Sequence, residues 1–217
     1  MIKIEHAVFP STEQMKFIIE NMRNPMNSRD KSDSNYSKAF SDCKGDNDLF
    51  LMQHLAKFGT GHRKFMRMMP TYARITAPLY WWEEFDTYKV GTVANSYSTM
   101  HKIAEKEFIL DDFSTEHMDV VSRACIETTI GYLNLFRKEY VNDVESGEIV
   151  KTCHDKEIWC QMIQLLPNSY NQTRNVMMNY EVLTNIYKSR KDHKLDEWRE
   201  FCVWIKSIPY SELIVTE

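Results

Sequence analysis

The sequence predicts an α+β fold in which a small twisted sheet is flanked by helices, and three observations carry that expectation. Residues 2 to 9 alternate weakly, and Thr71 to Thr76 (TYARIT) alternate with β-branched types, as half-buried strands do. Ser11 and Ser114 are followed by residues that complete helix-start signals, and apolar residues then recur three and four apart. The chain is 43% hydrophobic and 12% aromatic, enough apolar surface to offset the entropy of ordering a fold of 217 residues. No repeat, low-complexity tract or linker interrupts it, so a single domain over 1–217 is the simplest organisation.

Taken in order, the strand at 2–9 is followed by a capping box, Ser11 with Gln14, and by Met15, Ile18, Ile19 and Met22 at helical spacing. Residues 23–47 turn polar, with Pro25 and Gly45, and read as the longest loop. A helix over 48–58 stops at Gly59-Thr60-Gly61. After the strand at 71–76, Pro78 suits the first turn of a helix through Leu79, Tyr80, Trp82 and Phe85. VGTVA, residues 90–94, reads as a strand. Ser114-Thr115-Glu116 opens a long helix whose buried side is expected to carry Met118, Val121, Cys125, Thr129, Tyr132, Leu133 and Phe136. A helix over 156–166 ends at Pro167, a short strand covers 174–178, and two last helices occupy 180–190 and 195–207.

Composition excludes several classes. A net charge of −4 gives no global attraction to a nucleic-acid polymer or an acidic membrane. No apolar run approaches a membrane span, and the N-terminus lacks a secretory pattern, so a cytoplasmic protein is expected. The five cysteines are odd in number and have no CxxC spacing. Cys153, His154 and Cys160 match no zinc template, so reduced thiols and no metal site are expected.

The last third holds the strongest motif. Residues 179–200 read NYEVLTNIYKSRKDHKLDEWRE. This resembles, without a gap, the segment NAR-xxx-NFL-x-LR-xxx-HAQ-x-E-I-R of the flavin-dependent thymidylate synthases. Asn179 and Asn185 fall on the two asparagines, Arg190 on the arginine of LR, His193 on the histidine of HAQ, and Glu197 on the glutamate. Glu181 replaces the arginine of NAR, while Lys194 and Leu195 replace Ala-Gln. Upstream, GHRKFMRMM and the stretch from Thr71 to His101 are similar to the family's EH-xxx-F-x-F and RHR-xx-S-x-NE-x-S-x-RY segments. Thr87-Tyr88-Lys89 stand in place of RHR, and Asn95, Ser98 and His101 fall on the later Asn, Ser and Tyr. Thr87 and Met100 replace two phosphate-holding arginines, and Lys89 keeps a positive charge. MRNPMNS (22–28) and residues 75–96 also resemble a family of bacteriophage proteins.

The resemblance implies nucleotide-binding roles for Arg190, Lys89, Asn95, Ser98 and Tyr88, and flavin-side roles for Asn179, Asn185 and His193. It implies FAD as cofactor, a dUMP-like nucleotide in a pocket shared between copies, and a homotetramer in the host cytoplasm of a phage. A forked guanidinium suits the uracil edge. The missing arginines weaken the expectation of dUMP methylation with methylenetetrahydrofolate. An alternative is a non-catalytic, anti-defence phage protein that sequesters a host signalling nucleotide. On residues alone, Asn179 also suits a helix cap and Arg190 a helix C-terminus. Tyr80, Trp81, Trp82, Phe85 and Tyr88 suit either a core stripe or stacking on a flat ring. Glu83-Glu84 reads as a solvated face, and Arg23, Ser28, Arg29, Lys31 and Ser32 as a solvated loop.

Overall fold

The computed structural model describes residues 1–145 and 153–215, including all their side chains except those of 142–145 and 153. Four strands, β1 (Lys3–Val8), β2 (Pro70–Pro78), β3 (Val93–Ser96) and β4 (Asn171–Asn179), form one sheet in the order β1-β2-β4-β3. Among the described residues the α-helices are α1 (Thr12–Arg23), α2 (Asp46–Lys57), α3 (Leu79–Phe85), α4 (Thr99–Lys102), α5 (Val120–Glu145), α6 (Cys153–Leu165), α7 (Tyr180–Arg190) and α8 (Asp196–Ser207). The fold is α+β, as the sequence predicts. No helix among the described residues is long and apolar enough to cross a membrane.

The chain divides into two compact units. The α5 unit comprises Met1, Thr76–Glu83 and Ser96–Arg174; the α7 unit comprises Ile2–Ile75, Glu84–Asn95 and Asn175–Glu217.

In the α5 unit, α5 packs along α6. The core there joins Ile103, Phe108, Phe113, Ile126, Leu133 and Met162. Asn134 fixes the chain beside α5: its Oδ1 accepts from Phe108 N–H at 2.8 Å, and its Nδ2 donates to Phe108 O at 2.9 Å. Trp81 and Trp82 are fully buried, and Trp82 Nε1 donates to Gln172 O at 2.9 Å. The Arg174 guanidinium covers the Trp82 ring at 4.4 Å. These two rings are core, so the stacking reading does not hold for them.

In the α7 unit, the Ser11 capping box forms as predicted, with Gln14 N–H donating to Ser11 Oγ at 3.2 Å and Ser11 N–H to Gln14 Oε1 at 2.8 Å. Met15, Ile18, Ile19 and Met22 are buried. Gly59, at φ +84°, ends α2 in the left-handed region that glycine adopts without strain. Helix α7 buries every residue from Tyr180 to Thr184 and packs on α8 and on the 3-10 segment Arg63–Met68.

Arg23 is not solvated as the loop reading expects. It is 3% exposed and donates through Nε to Asp48 Oδ1 at 2.5 Å, and Asp48 is fully buried. Ser32 and Ser34 each donate to Asp48 Oδ2 at 2.6 Å, tying the polar 23–47 segment to the first turn of α2. Burial would raise the Asp48 carboxyl; the hydrogen bonds from Ser32, Ser34 and Arg23 outweigh it and hold the group below its ordinary value.

Other boundaries shift for identifiable reasons. The long helix begins at Val120 rather than near Ser114, because Asp119 Oδ1 takes the Ser122 N–H at 2.8 Å. Ser114 is instead buried, with its hydroxyl on Asn171 Oδ1 at 3.1 Å. The buried side of α5 is the predicted one only in part: Leu133 is in the core and Met118 and Phe136 pack against it, but Ile126 joins them while Val121 (70%), Cys125 and Tyr132 (56%) are exposed. The helix carries two adjacent apolar stripes, and packing on α6 selects between them. Strand β3 starts at Val93, three residues late, because the chain turns at Gly91 (φ +85°) with Thr92 Oγ1 donating to Tyr88 O at 2.5 Å. Ala77-Pro78 end β2 rather than open a helix. The described cysteines 43, 125, 160 and 202 are free thiols, and burial pushes the Cys202 thiol up to about 11. The side chain of Cys153 lies outside the described residues.

Candidate functional site

The end of α7, the turn after it and α8 converge on one carboxylate. Arg190, the last residue of α7, donates from Nε to Tyr88 Oη at 2.9 Å and from Nη1 to Glu84 Oε2 at 2.5 Å. Trp198 Nε1 donates to the same Glu84 oxygen at 3.0 Å. The guanidinium lies 4.7 Å from the Trp198 ring and 5.7 Å from that of Tyr88, within cation–π range. The Arg190 side chain keeps 18% exposure and that of Glu84 36%, so the cluster opens to solvent at one side.

His193 adds a polar ring with competing donors. Arg190 Nη1 approaches its Nε2 at 2.9 Å, and Leu195 N–H approaches its Nδ1 at 3.2 Å. A neutral imidazole has one acceptor nitrogen, so it satisfies one of the two donors and leaves the other short of a partner. The Glu84 carboxylate lies 3.6 Å from Nε2. Arg190 thus sits in a ready-made frame of one anion, one phenol and one imidazole.

A second cluster uses the first turn of α7. Glu181 is buried and receives Arg63 Nε at 3.2 Å and Arg67 Nη2 at 3.3 Å, with Arg67 Nε also donating to it. Burial would raise this carboxyl, but the hydrogen bonds from Arg67 and Arg63 hold it below the ordinary value. Asn185 is exposed, and its Oδ1 accepts from Arg63 Nη2 at 3.0 Å. Asn179 caps α7: its Oδ1 accepts the Val182 N–H at 3.0 Å. Gly91 lies so close to Asn179 that an added Cβ would stand 2.6 Å from its Nδ2.

The remaining expected residues are distributed. Lys89, next to Tyr88, is exposed. Asn95 lies on β3 and lines a cleft of about 380 Å³ with His6, Tyr72, Arg74 and Asn175. Arg74 Nε donates to Asn175 Oδ1 there at 3.3 Å. In the α5 unit, Ser98 precedes α4 and lines a polar cleft of about 520 Å³ with Thr99, Tyr170 and Asn171. No group of three His, Cys, Asp or Glu residues able to hold a metal ion occurs among the described residues.

The whole chain can be superposed on solved structures. It matches thymidylate synthase X from Helicobacter pylori, solved with FAD and dUMP, at a TM-score of 0.68 and 13% identity, covering 99% of this chain and 97% of the other. A second structure of that bacterium's flavin-dependent thymidylate synthase, complexed with FAD and dUMP, matches at 0.63 with the same identity and coverage. The fold is that of the flavin-dependent thymidylate synthases. No family model matches the sequence, and no curated protein matches it.

On this thymidylate synthase fold, sequence reading brings together Tyr88, Arg190 and His193, which the structure joins in one cluster. It misses Glu84 and Trp198. Glu84, whose sequence position suggests a solvated face, is the anion that organises the cluster. No local signal marks Glu84: Tyr88 lies beyond the end of α3, and the pairing depends on Arg190 and Trp198.

Proposed function

We propose that this chain binds a dUMP-like nucleotide on its thymidylate synthase fold, with Arg190 as the principal contact. The observation that supports this is the cluster itself: the arginine and histidine of the ungapped C-terminal motif meet Tyr88 in a polar frame open at one side. Arg190 Nη2 has no hydrogen-bond partner among the described residues, which leaves a donor for a base carbonyl. Tyr88 and His193 border the same opening. Lys89 and Asn95 are the further nucleotide contacts of this reading, with Ser98 supplied by another copy of the same chain that completes the pocket. The whole chain then acts as one domain within a homotetramer. The exposed apolar stripe of α5, with Val120, Val121, Tyr132 and Leu135, supports such self-assembly. Sedimentation equilibrium should give a multimer, and a monomer at micromolar concentration would contradict it.

The cofactor is tested by what the flavin-side residues already do. Asn179 Oδ1 is spent on the α7 cap, Asn185 Oδ1 on Arg63, and Glu181 neutralises both Arg63 and Arg67. Thr87 and Met100 supply no charge where the resemblance expects arginine. The residues present do not fit a tightly held FAD, so no step is routed through it, and dUMP methylation is expected to be absent. The same loss favours binding without chemistry, including capture of a signalling nucleotide by a phage-encoded chain. The test is the visible spectrum of purified protein, with mass spectrometry of whatever heat releases. A colourless protein that releases or takes up a nucleotide supports this reading; a stoichiometric flavin band or complementation of a thymidine-requiring strain overturns its non-catalytic part.

A further inference from the structure

A second cavity, in the α7 unit, has a chemistry the nucleotide reading does not use. It measures about 420 Å³ and lies among the end of α1, the turn at Pro25-Met26, Leu55 of α2 and the 3-10 segment Arg63–Met68. This is the size range of small-molecule pockets. Its walls are soft and apolar: Met22, Met26, Met68, Leu55 and Phe65. Thioethers are polarisable and pack favourably against aromatic rings, and unbranched methionines adapt to a flat ligand. Met26 and Met68 are 53% and 40% exposed, so this wall of the cavity is reachable from solvent.

The rim is polar on one side. Lys64 and His62 line the opening, and Lys64 is in no ion pair among the described residues. In the same segment the charge of Arg67 is already matched by Glu181. Lys64 is therefore the cation that remains for an incoming anion. His62 also ends an aromatic ladder, stacked or edge-on through Phe58, His54 and Phe50 at centroid spacings of 5.7, 4.6 and 6.2 Å. Phe58 is 60% exposed and meets His62, a lining residue, edge-on. We propose that this cavity binds a planar aromatic carboxylate, with the ring among the methionines and Phe65 and the carboxylate at Lys64.

The test uses full-length protein carrying ¹³C-methyl methionine, titrated with 2-naphthoate and, separately, with neutral 2-naphthamide. Saturable shifts confined to the Met22, Met26 and Met68 methyls are expected, with naphthamide weaker by about two- to fivefold, the scale of one exposed charge interaction. Lys64→Gln should weaken naphthoate to the naphthamide level. Met68→Glu, which puts a carboxylate on a partly exposed wall, should abolish saturable binding while the other methyl signals stay in place. Absence of saturable shifts at millimolar probe, shifts spread to buried methionines away from the cavity such as Met15, Met52 and Met162, or equal affinity for acid and amide would each overturn the proposal. Shifts of the same three methyls with protein concentration alone would also overturn it, by assigning the face to a second copy of the chain.

Discussion

The Arg23–Asp48 and Arg190–Glu84 pairs are the same chemistry placed at two depths. Both join an arginine and a carboxylate at 2.5 Å within the α7 unit. Arg23 and Asp48 have side chains 4% and 0% exposed, and both carboxylate oxygens are taken by Arg23, Ser32 and Ser34. Arg190 and Glu84 are open to solvent and border an imidazole with competing donors; each arginine leaves its Nη2 without a hydrogen-bond partner among the described residues, but that of Arg23 is buried and that of Arg190 lies in a half-open cluster. A buried pair whose acceptors are filled holds segments together, because breaking it strands a charge. A half-open pair with donors to spare can exchange an internal partner for an external one. The difference separates scaffold from site more clearly than residue type does.

The largest effect should follow from breaking the buried pair. Arg23→Ala strands Asp48 in the interior and should cost about 3–5 kcal/mol, read as a fall in melting temperature. If Arg23→Ala melts like the wild type, the pair is not scaffold. The acid side sharpens the same point. The Asp48 carboxyl sits below its ordinary value when folded, so its contribution is complete above the unfolded value and is lost as pH falls toward the folded one. Glu181 acts in the same direction. Asp48→Asn should therefore lower stability at neutral pH and flatten the acid limb of a melting-temperature profile. An unchanged acid limb would show that Asp48 is not a linked group.

Breaking the open pair should act on binding instead. A charge-assisted hydrogen bond of roughly 1.5–3 kcal/mol makes Arg190→Ala weaker for nucleotide by about ten- to a hundredfold, with a small change in melting temperature. Arg190→Lys should recover part of the loss, since an ammonium lacks the fork. Calorimetry and melting curves on both variants decide it; equal losses of binding and stability would make Arg190 scaffold too. The smallest effect is expected from Glu84→Gln. It keeps an oxygen for Trp198 but removes the competing anion, so affinity for an anionic nucleotide should rise by about two- to fivefold. A fall in affinity would mean that Glu84 orients Arg190 more than it competes with ligand.

Much of the fold was legible because local signals agreed with the final packing. The Ser11 capping box, the α1 stripe, α7 and the strand before it all lie where periodicity and caps put them. The buried side of α5 was legible only at Leu133, Phe136 and Met118, because Val121–Cys125–Tyr132 and Ile126–Leu133 both satisfy helical spacing and α6 chooses between them. The site was half legible. Arg190 and His193 carry a motif and Tyr88 stands at a motif position whose residue is replaced, whereas nothing local tells which of Glu83 and Glu84 turns inward; that depends on Arg190 and Trp198, more than a hundred residues away. Asn179 shows the reverse: its motif position suggested a ligand, and its side chain is spent as a cap.

The central claim is that the open cluster around Arg190 receives a nucleotide, and calorimetric titration of dUMP into the wild-type chain tests it most directly. Saturable binding to one class of site, weakened in Arg190→Ala protein of unchanged melting temperature, is the predicted result. No heat of binding from dUMP, in protein shown to be folded and free of any nucleotide released by heating, would contradict it.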